Sequence, residues 1–134
     1  MKEWFELGPF TIFDLETTGM SPVYDRIIEI AAIHVDIDGT ETSFHSLVNP
    51  GCPVPPQATR VNNSSDAMLV DAPPFSRIAP EFMKLVHGST LVAHNARFDL
   101  GFLQESLSRT GQRLWDGKTL DTLRLTRQAF KGLP

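Results

Sequence analysis

Cysteine occurs once in this chain of 134 residues, at Cys52. A single thiol excludes an internal disulfide framework and any zinc site built on paired cysteines. Long hydrophobic runs are missing too, since no stretch approaches the roughly 20 apolar residues of a membrane-spanning helix. The first residues lack the pattern of a secretory leader, so the expected location is cytoplasmic and the sequons at Asn62 and Asn63 carry no weight. Positive charge is not in excess. The net charge of −4 argues against broad electrostatic coating of a nucleic acid. Its distribution is uneven: Arg97, Arg109, Arg113, Lys118, Arg124, Arg127 and Lys131 face four acidic residues between 97 and 131, a local +3, while the first 96 residues carry −7. That basic part is a candidate for phosphate contact, or simply a solvated helical face.

Several catalytic signatures are absent as well. Gly111 and Gly117-Lys118-Thr119 imitate a phosphate-binding loop, but five residues separate the glycines where four are needed, and no apolar strand precedes them. No Gly-x-Ser-x-Gly elbow exists, and the four histidines lack zinc spacing. There is no internal repeat.

What is present suffices for one domain over residues 1–134 with a core of its own. Pro9 to Leu15 reads as a strand so continuously apolar that burial on both faces is expected. Arg26 to Ile37 and Thr42 to Val48 read as two more strands, joined at Asp38-Gly39 by a hairpin. Asn49-Pro50-Gly51 ends the third strand, and a loop bearing Pro53, Pro55 and Pro56 follows. Ser65 and Asp66 cap a short helix, and Pro74 opens another that reaches His87 and stops at Gly88. Thr90 to Ala93 is a short buried strand. Asn95 is placed to cap a helix carrying Leu100, Leu103 and Leu107 on one face and closing at Gly111. Lys118 to Phe130 is either a strand leading into a helix or one helix. The order predicts an α/β fold: three antiparallel strands, then parallel strands alternating with helices, the sheet covered on both faces.

Chemistry concentrates in Phe13-Asp14-Leu15-Glu16-Thr17-Thr18-Gly19 and His94-Asn95-Ala96-Arg97-Phe98-Asp99. Asp14 and Glu16 are two apart on a strand and leave the same face. Two buried carboxylates without a counter-charge are costly, so these sit at a wet strand end or bind a cation. Oxygen ligands alone favour Mg²⁺ or Mn²⁺ over zinc. Gly19 permits close approach of a ligand. Asp99 falls in the first turn of a helix, where the macrodipole alone would favour a carboxylate.

Taken together, Phe-Asp-Leu-Glu-Thr-Thr-Gly and Leu-Val-Ala-His-Asn-Ala-Arg-Phe-Asp resemble the first two motifs of the DEDDh 3′–5′ exonucleases, which include the proofreading epsilon subunit of bacterial DNA polymerase III. The resemblance extends through Ile27-Ile28-Glu29-Ile30-Ala31, Asp71-Ala72-Pro73-Pro74-Phe75 and Leu120-Asp121-Thr122-Leu123. It implies a ribonuclease H-like mixed sheet flanked by helices. It also implies a two-metal phosphodiesterase acting on the 3′ end of single-stranded DNA in preference to RNA, in proofreading or repair, beside a fused or partner polymerase. Asp14, Glu16 and Asp99 become catalytic residues and ligands of two Mg²⁺ or Mn²⁺ ions. Thr17, Thr18 and Gly19 would hold the terminal nucleotide, the threonines through their backbone. Asn95 and Phe98 are further candidates for substrate contact, with core packing the alternative for Phe98. Asp121 matches a position read as structural.

Two departures stand out. The family's His-Gly-Ile-Thr, which helps to separate the terminal bases, is replaced by Asn62-Asn63-Ser64-Ser65. The family's last motif, a histidine followed five residues later by an aspartate, has no usable counterpart. His94 and Asp99 have the spacing, but Asp99 already belongs to the second motif. His34, His45 and His87 read as structural histidines, so the chain supplies no general base. The last helix, which would cover one sheet face, is expected to be missing, leaving apolar surface exposed. Residues 1–134 are therefore expected to be part of a longer exonuclease domain, weakly active or inactive by themselves. The alternatives are a non-catalytic nucleic-acid-binding or interaction module on the same fold, and a nuclease whose last motif carries tyrosine.

Overall fold

A computed structural model describes residues 8–55 and 66–129. Five strands form one mixed sheet: β1 (Phe10–Thr17), β2 (Ile27–Val35), β3 (Glu41–Leu47), β4 (Thr90–Ala93) and β5 (Thr119–Asp121). Four helices accompany them: α1 (Asp66–Leu69), α2 (Phe75–Val86), α3 (Ala96–Arg109) and α4 (Thr122–Ala129). The strand order is β3-β2-β1-β4-β5. The first three strands are antiparallel neighbours, while β1–β4 and β4–β5 run parallel. This is the mixed ribonuclease H-like sheet flanked by helices that the resemblance implies. The passage from Lys118 onward resolves into a strand followed by a helix.

The β2–β3 hairpin forms where Asp38-Gly39 predicts it. Gly39 takes a φ of +87°, and Asp36 and Thr40 close the turn through a 2.9 Å backbone bond. Antiparallel register then sets Ile12 opposite Ile33, Asp14 opposite Ala31 and Glu16 opposite Glu29.

Burial along β1 alternates. Thr11, Phe13 and Leu15 point inward, whereas Ile12 and Asp14 are exposed. The expectation that both faces would be covered is thus corrected. The apolar run is continuous because Ile12 pairs with Ile33 on an open face, where both remain about half exposed. The other face carries the main core, in which Phe82 of α2 lies 6.4 Å from Phe13 and 5.6 Å from Phe44, ring to ring. Helix α3 contributes Phe102, Leu103 and Leu107, each fully buried and worth roughly 1.5–3 kcal/mol. Leu100, expected on that buried face, is only half-buried at its edge, and the core position belongs to Phe102. The expected cap at Ser65 and the Asn62–Ser65 departure lie outside the described residues.

Candidate active site

Parallel β1 and β4 end side by side in the centre of the sheet, and ligand sites in α/β folds form beyond such carboxyl ends. Pairing between them stops at Ile12 and Val92, so Asp14 and Glu16 continue past the edge of the ladder on the open face. After Ala93, Asn95 adopts a left-handed conformation (φ +69°, ψ +56°) that turns the chain into α3. Asn95 therefore caps by backbone geometry: its side chain makes no capping bond, and its carbonyl accepts the Phe98 N–H at 3.1 Å.

The turn delivers Asp99 into the first turn of α3, only 4% exposed. Burial, joined by the charges of Asp14, Glu16 and Asp121, pushes the Asp99 carboxyl up to about 7. Four carboxylates from β1, α3 and the end of β5 thus share one field. Among the described residues no basic side chain pairs with Asp14 or Asp99.

Asp121 differs from the other three. Burial pushes its carboxyl up, but the N–H groups of Ala96, Asn95, Leu123 and Arg124 outweigh that and hold it below the usual carboxylate range. The Asn95 N–H at 2.9 Å and the Leu123 N–H at 3.0 Å both donate to one of its oxygens. Asp121 thereby fastens the β4–α3 turn to the start of α4, a structural use.

The Thr17-Thr18-Gly19 segment is mostly committed internally. Thr18 is buried, its N–H donates to the Arg26 carbonyl at 2.8 Å, and its hydroxyl accepts the Arg26 N–H at 2.9 Å. Gly19 is needed for a neighbour inside the chain, because a Cβ there would strike the Asp25 carboxylate. That carboxylate accepts the Ser21 N–H at 2.9 Å and the Thr18 hydroxyl at 3.4 Å. The half-buried Thr17 donates its hydroxyl to the Gly19 carbonyl at 2.7 Å. Phe98 is half-buried and packs against Phe102 with ring centres 5.0 Å apart, so at least part of the ring serves the core.

Three of the four histidines have side-chain partners other than Asp14, Glu16, Asp99 and Asp121. His34 bonds the Thr11 hydroxyl at 3.0 Å, His94 bonds the Thr122 hydroxyl at 3.0 Å, and His87 ends α2. His45 meets Glu29 at 2.6 Å, and Glu29 is the cross-strand neighbour of Glu16. Sequence reasoning overlooked this pair. Its signal was a single charged residue inside Ile27-Ile28-Glu29-Ile30, which signifies a strand with one open face.

Hard carboxylate oxygens without a competing cation suit Mg²⁺ or Mn²⁺. Among the described residues no three His, Cys, Asp or Glu side chains converge to ligand distance. Asp14 is exposed at the strand end and Asp99 is buried, so the carboxylates are neighbours in one electrostatic field without forming a closed ligand set.

The mixed sheet is ribonuclease H-like, and it carries acidic residues at the carboxyl ends of its strands. Residues 11–134 match the RNase T family model, described as Exonuclease, and the chain belongs to that family. It is 40% identical over 124 residues to the DNA polymerase III subunit epsilon of Treponema pallidum, covering 92% of this chain and 58% of that protein. It is 37% identical to the 3′-5′ exonuclease DinG of Bacillus subtilis, covering 92% of this chain and 13% of that protein. Exonuclease X, solved with 5′-overhanging duplex DNA, superposes with a TM-score of 0.69 at 31% identity, covering 93% of this chain and 66% of that one. Exonuclease I of E. coli shares the fold at a TM-score of 0.81 and 19% identity, over 90% and 29% of the two chains. The chain thus spans less than two thirds of these relatives' lengths. Among the described residues no helix is long and apolar enough to cross a membrane.

Proposed function

We propose that residues 1–134 belong to a divalent-metal-dependent 3′–5′ exonuclease domain of the DEDDh type, which removes nucleotides from the 3′ end of single-stranded DNA in proofreading or repair. The observation that carries this is the placement of Asp99, a buried carboxylate in the first turn of α3 set in the field of Asp14, Glu16 and Asp121, within a chain that belongs to the exonuclease family. Such crowding destabilises a fold and is useful where the charges hold a cation.

Asp14, Glu16 and Asp99 would hold the Mg²⁺ or Mn²⁺ ions, two in a complete site. When bound, such ions acidify a water and stabilise charge on the leaving oxygen. The protein residues perform the positioning. Asp121 and the left-handed Asn95 fix the start of α3 and hence Asp99. Thr18, Gly19 and Asp25 shape the loop that follows Glu16, and Thr17 remains at its surface beside the terminal nucleotide. The exposed Asn95 side chain and the edge of Phe98 complete the substrate contacts. We assign no general base within the chain, because each of its histidines is engaged elsewhere or caps a helix. Without a positioned base, turnover is expected to be lower by roughly 10²–10⁴-fold. A fused or partner polymerase and a cytoplasmic setting belong to the same proposal, in keeping with the replication proteins that the chain resembles.

The test is shortening of a 3′-ended oligonucleotide in Mg²⁺ or Mn²⁺ by the complete domain, as wild type and as Asp14→Ala. The variant should be inert while remaining folded, as a melting curve checks. Nuclease activity persisting in the folded variant sinks the proposal, and oligonucleotide binding without turnover in any metal supports the non-catalytic module.

A further inference from the structure

Directly after the carboxylate-bearing strand, the β1–β2 connection exposes three large apolar side chains. Met20, Val23 and Tyr24 are 79%, 57% and 84% exposed. The segment is pinned. Asp25 N–H donates to the Ser21 carbonyl at 2.7 Å, Tyr24 N–H donates to the Ser21 hydroxyl at 3.3 Å, and the Asp25 carboxylate fills the space beside Gly19. Helix α3 secures it from outside. The Arg109 guanidinium donates to the carbonyls of Pro22 at 2.7 Å and Val23 at 2.6 Å, and Pro22 lies where a Cβ on Gly101 would touch it at 3.3 Å.

This anchoring sets the segment at a defined place relative to the carboxylates. Asp99, Gly101 and Arg109 lie on one helix, with Asp99 and Arg109 about 15 Å apart along it. Pro22 meets both Gly101, two residues from Asp99, and the guanidinium of Arg109, so the segment that carries Tyr24 is held against the helix that carries Asp99.

Charge points the same way. The Arg26 guanidinium donates to the Asp25 carbonyl at 3.0 Å and the Val23 carbonyl at 3.4 Å. Arg109 meets the neutral carbonyls of Pro22 and Val23 and, at 4.0 Å, the carboxylate of Glu105. Two guanidiniums thus support an exposed ring while keeping charge to offer to phosphates. An aromatic face beside cations on a rigid support is the chemistry that stacks a base and neutralises its backbone.

We propose that Tyr24 is a stacking platform for a nucleobase of the bound strand, 5′ of the terminal nucleotide, with Arg26 and Arg109 attracting the adjoining phosphates. This assignment rests on the exonuclease reading above for its direction along the strand.

The experiment measures equilibrium binding, which needs no turnover. The full chain is titrated against labelled oligothymidylate of roughly ten nucleotides and, separately, against thymidine monophosphate. Tyr24→Ala should weaken oligonucleotide binding roughly tenfold, Tyr24→Phe should match the wild type, and none of them should alter monophosphate binding. The exposure of Tyr24 leaves the fold unchanged in both variants, as a melting curve checks. Equal affinity of Tyr24→Ala and wild type overturns the assignment, as does wild-type protein that fails to bind the oligonucleotide. Self-association in sedimentation that Tyr24→Ala abolishes, with oligonucleotide binding intact, also overturns it and gives the ring to a protein contact. The exonuclease reading fails separately, through activity surviving in Asp14→Ala.

Discussion

Asp99→Asn should stabilise the metal-free protein, although the residue is assigned to the catalytic set. The unfolded carboxyl titrates near 3.8 and the folded one near 7, a difference equivalent to at most roughly 4 kcal/mol. Solvent reaches the open strand ends, and screening there reduces the expected effect to about 1–2 kcal/mol. Between these two values the folded state keeps a proton that the unfolded chain has released. Stability therefore falls as pH rises from about 4 to about 7, and the loss is complete near pH 8. Asparagine keeps the shape without the charge, so the variant should lack this slope and melt roughly 4–8 °C higher at pH 8. Mg²⁺ or Mn²⁺ should raise the melting temperature of the wild type by preferential binding to the folded state and leave the variant largely unmoved. Urea and thermal unfolding in EDTA across pH 5 to 8, then with added cation, measure both effects. A wild-type profile that is flat, or a variant running parallel to it, refutes the electrostatic account of this site.

Gly19→Ala should destabilise by about 1–3 kcal/mol in urea unfolding, because the new Cβ displaces the Asp25 carboxylate that organises the loop. Asp121→Ala should cost roughly 1–2 kcal/mol and weaken cation binding in calorimetry, since the β4–α3 turn and the start of α4 lose a shared acceptor. Asn95→Gly should fold with nearly unchanged stability, and Asn95→Val should lose about 1–2 kcal/mol, because the position demands a left-handed backbone. A higher KM for oligonucleotide in the glycine variant alone would assign the side chain to substrate, and an unchanged KM would restrict Asn95 to the turn.

Much of the architecture was legible because short-range chemistry dictates it. The Asp38-Gly39 hairpin, the stop at Gly88 and the helix after Asn95 follow from backbone allowances that one or two residues express locally. The Asp14 and Glu16 side chains share a face because strand periodicity leaves no choice. What failed was inference about the surroundings. The run from Pro9 to Leu15 looks buried on both sides, yet Ile12 lies on an open face, since only the register with Ile33 tells which face packs. Thr18 and Gly19 look ready for a ligand, yet Asp25 and Arg26, several residues onward, occupy the Thr18 hydroxyl and the space beside Gly19.

By itself, then, the sequence determined the element order, the family and the residue types able to hold a cation, because these depend on local pattern and motif. Tertiary structure decided which carboxylates share a field and which is consumed as an anchor. Asp99 and Asp121 are both acidic residues near the start of a helix. One is crowded by burial and like charge up to about 7, and the other is held low by four backbone N–H groups. The difference comes from solvent exclusion and from groups distant in sequence, which exist only once β1, β4 and β5 stand side by side.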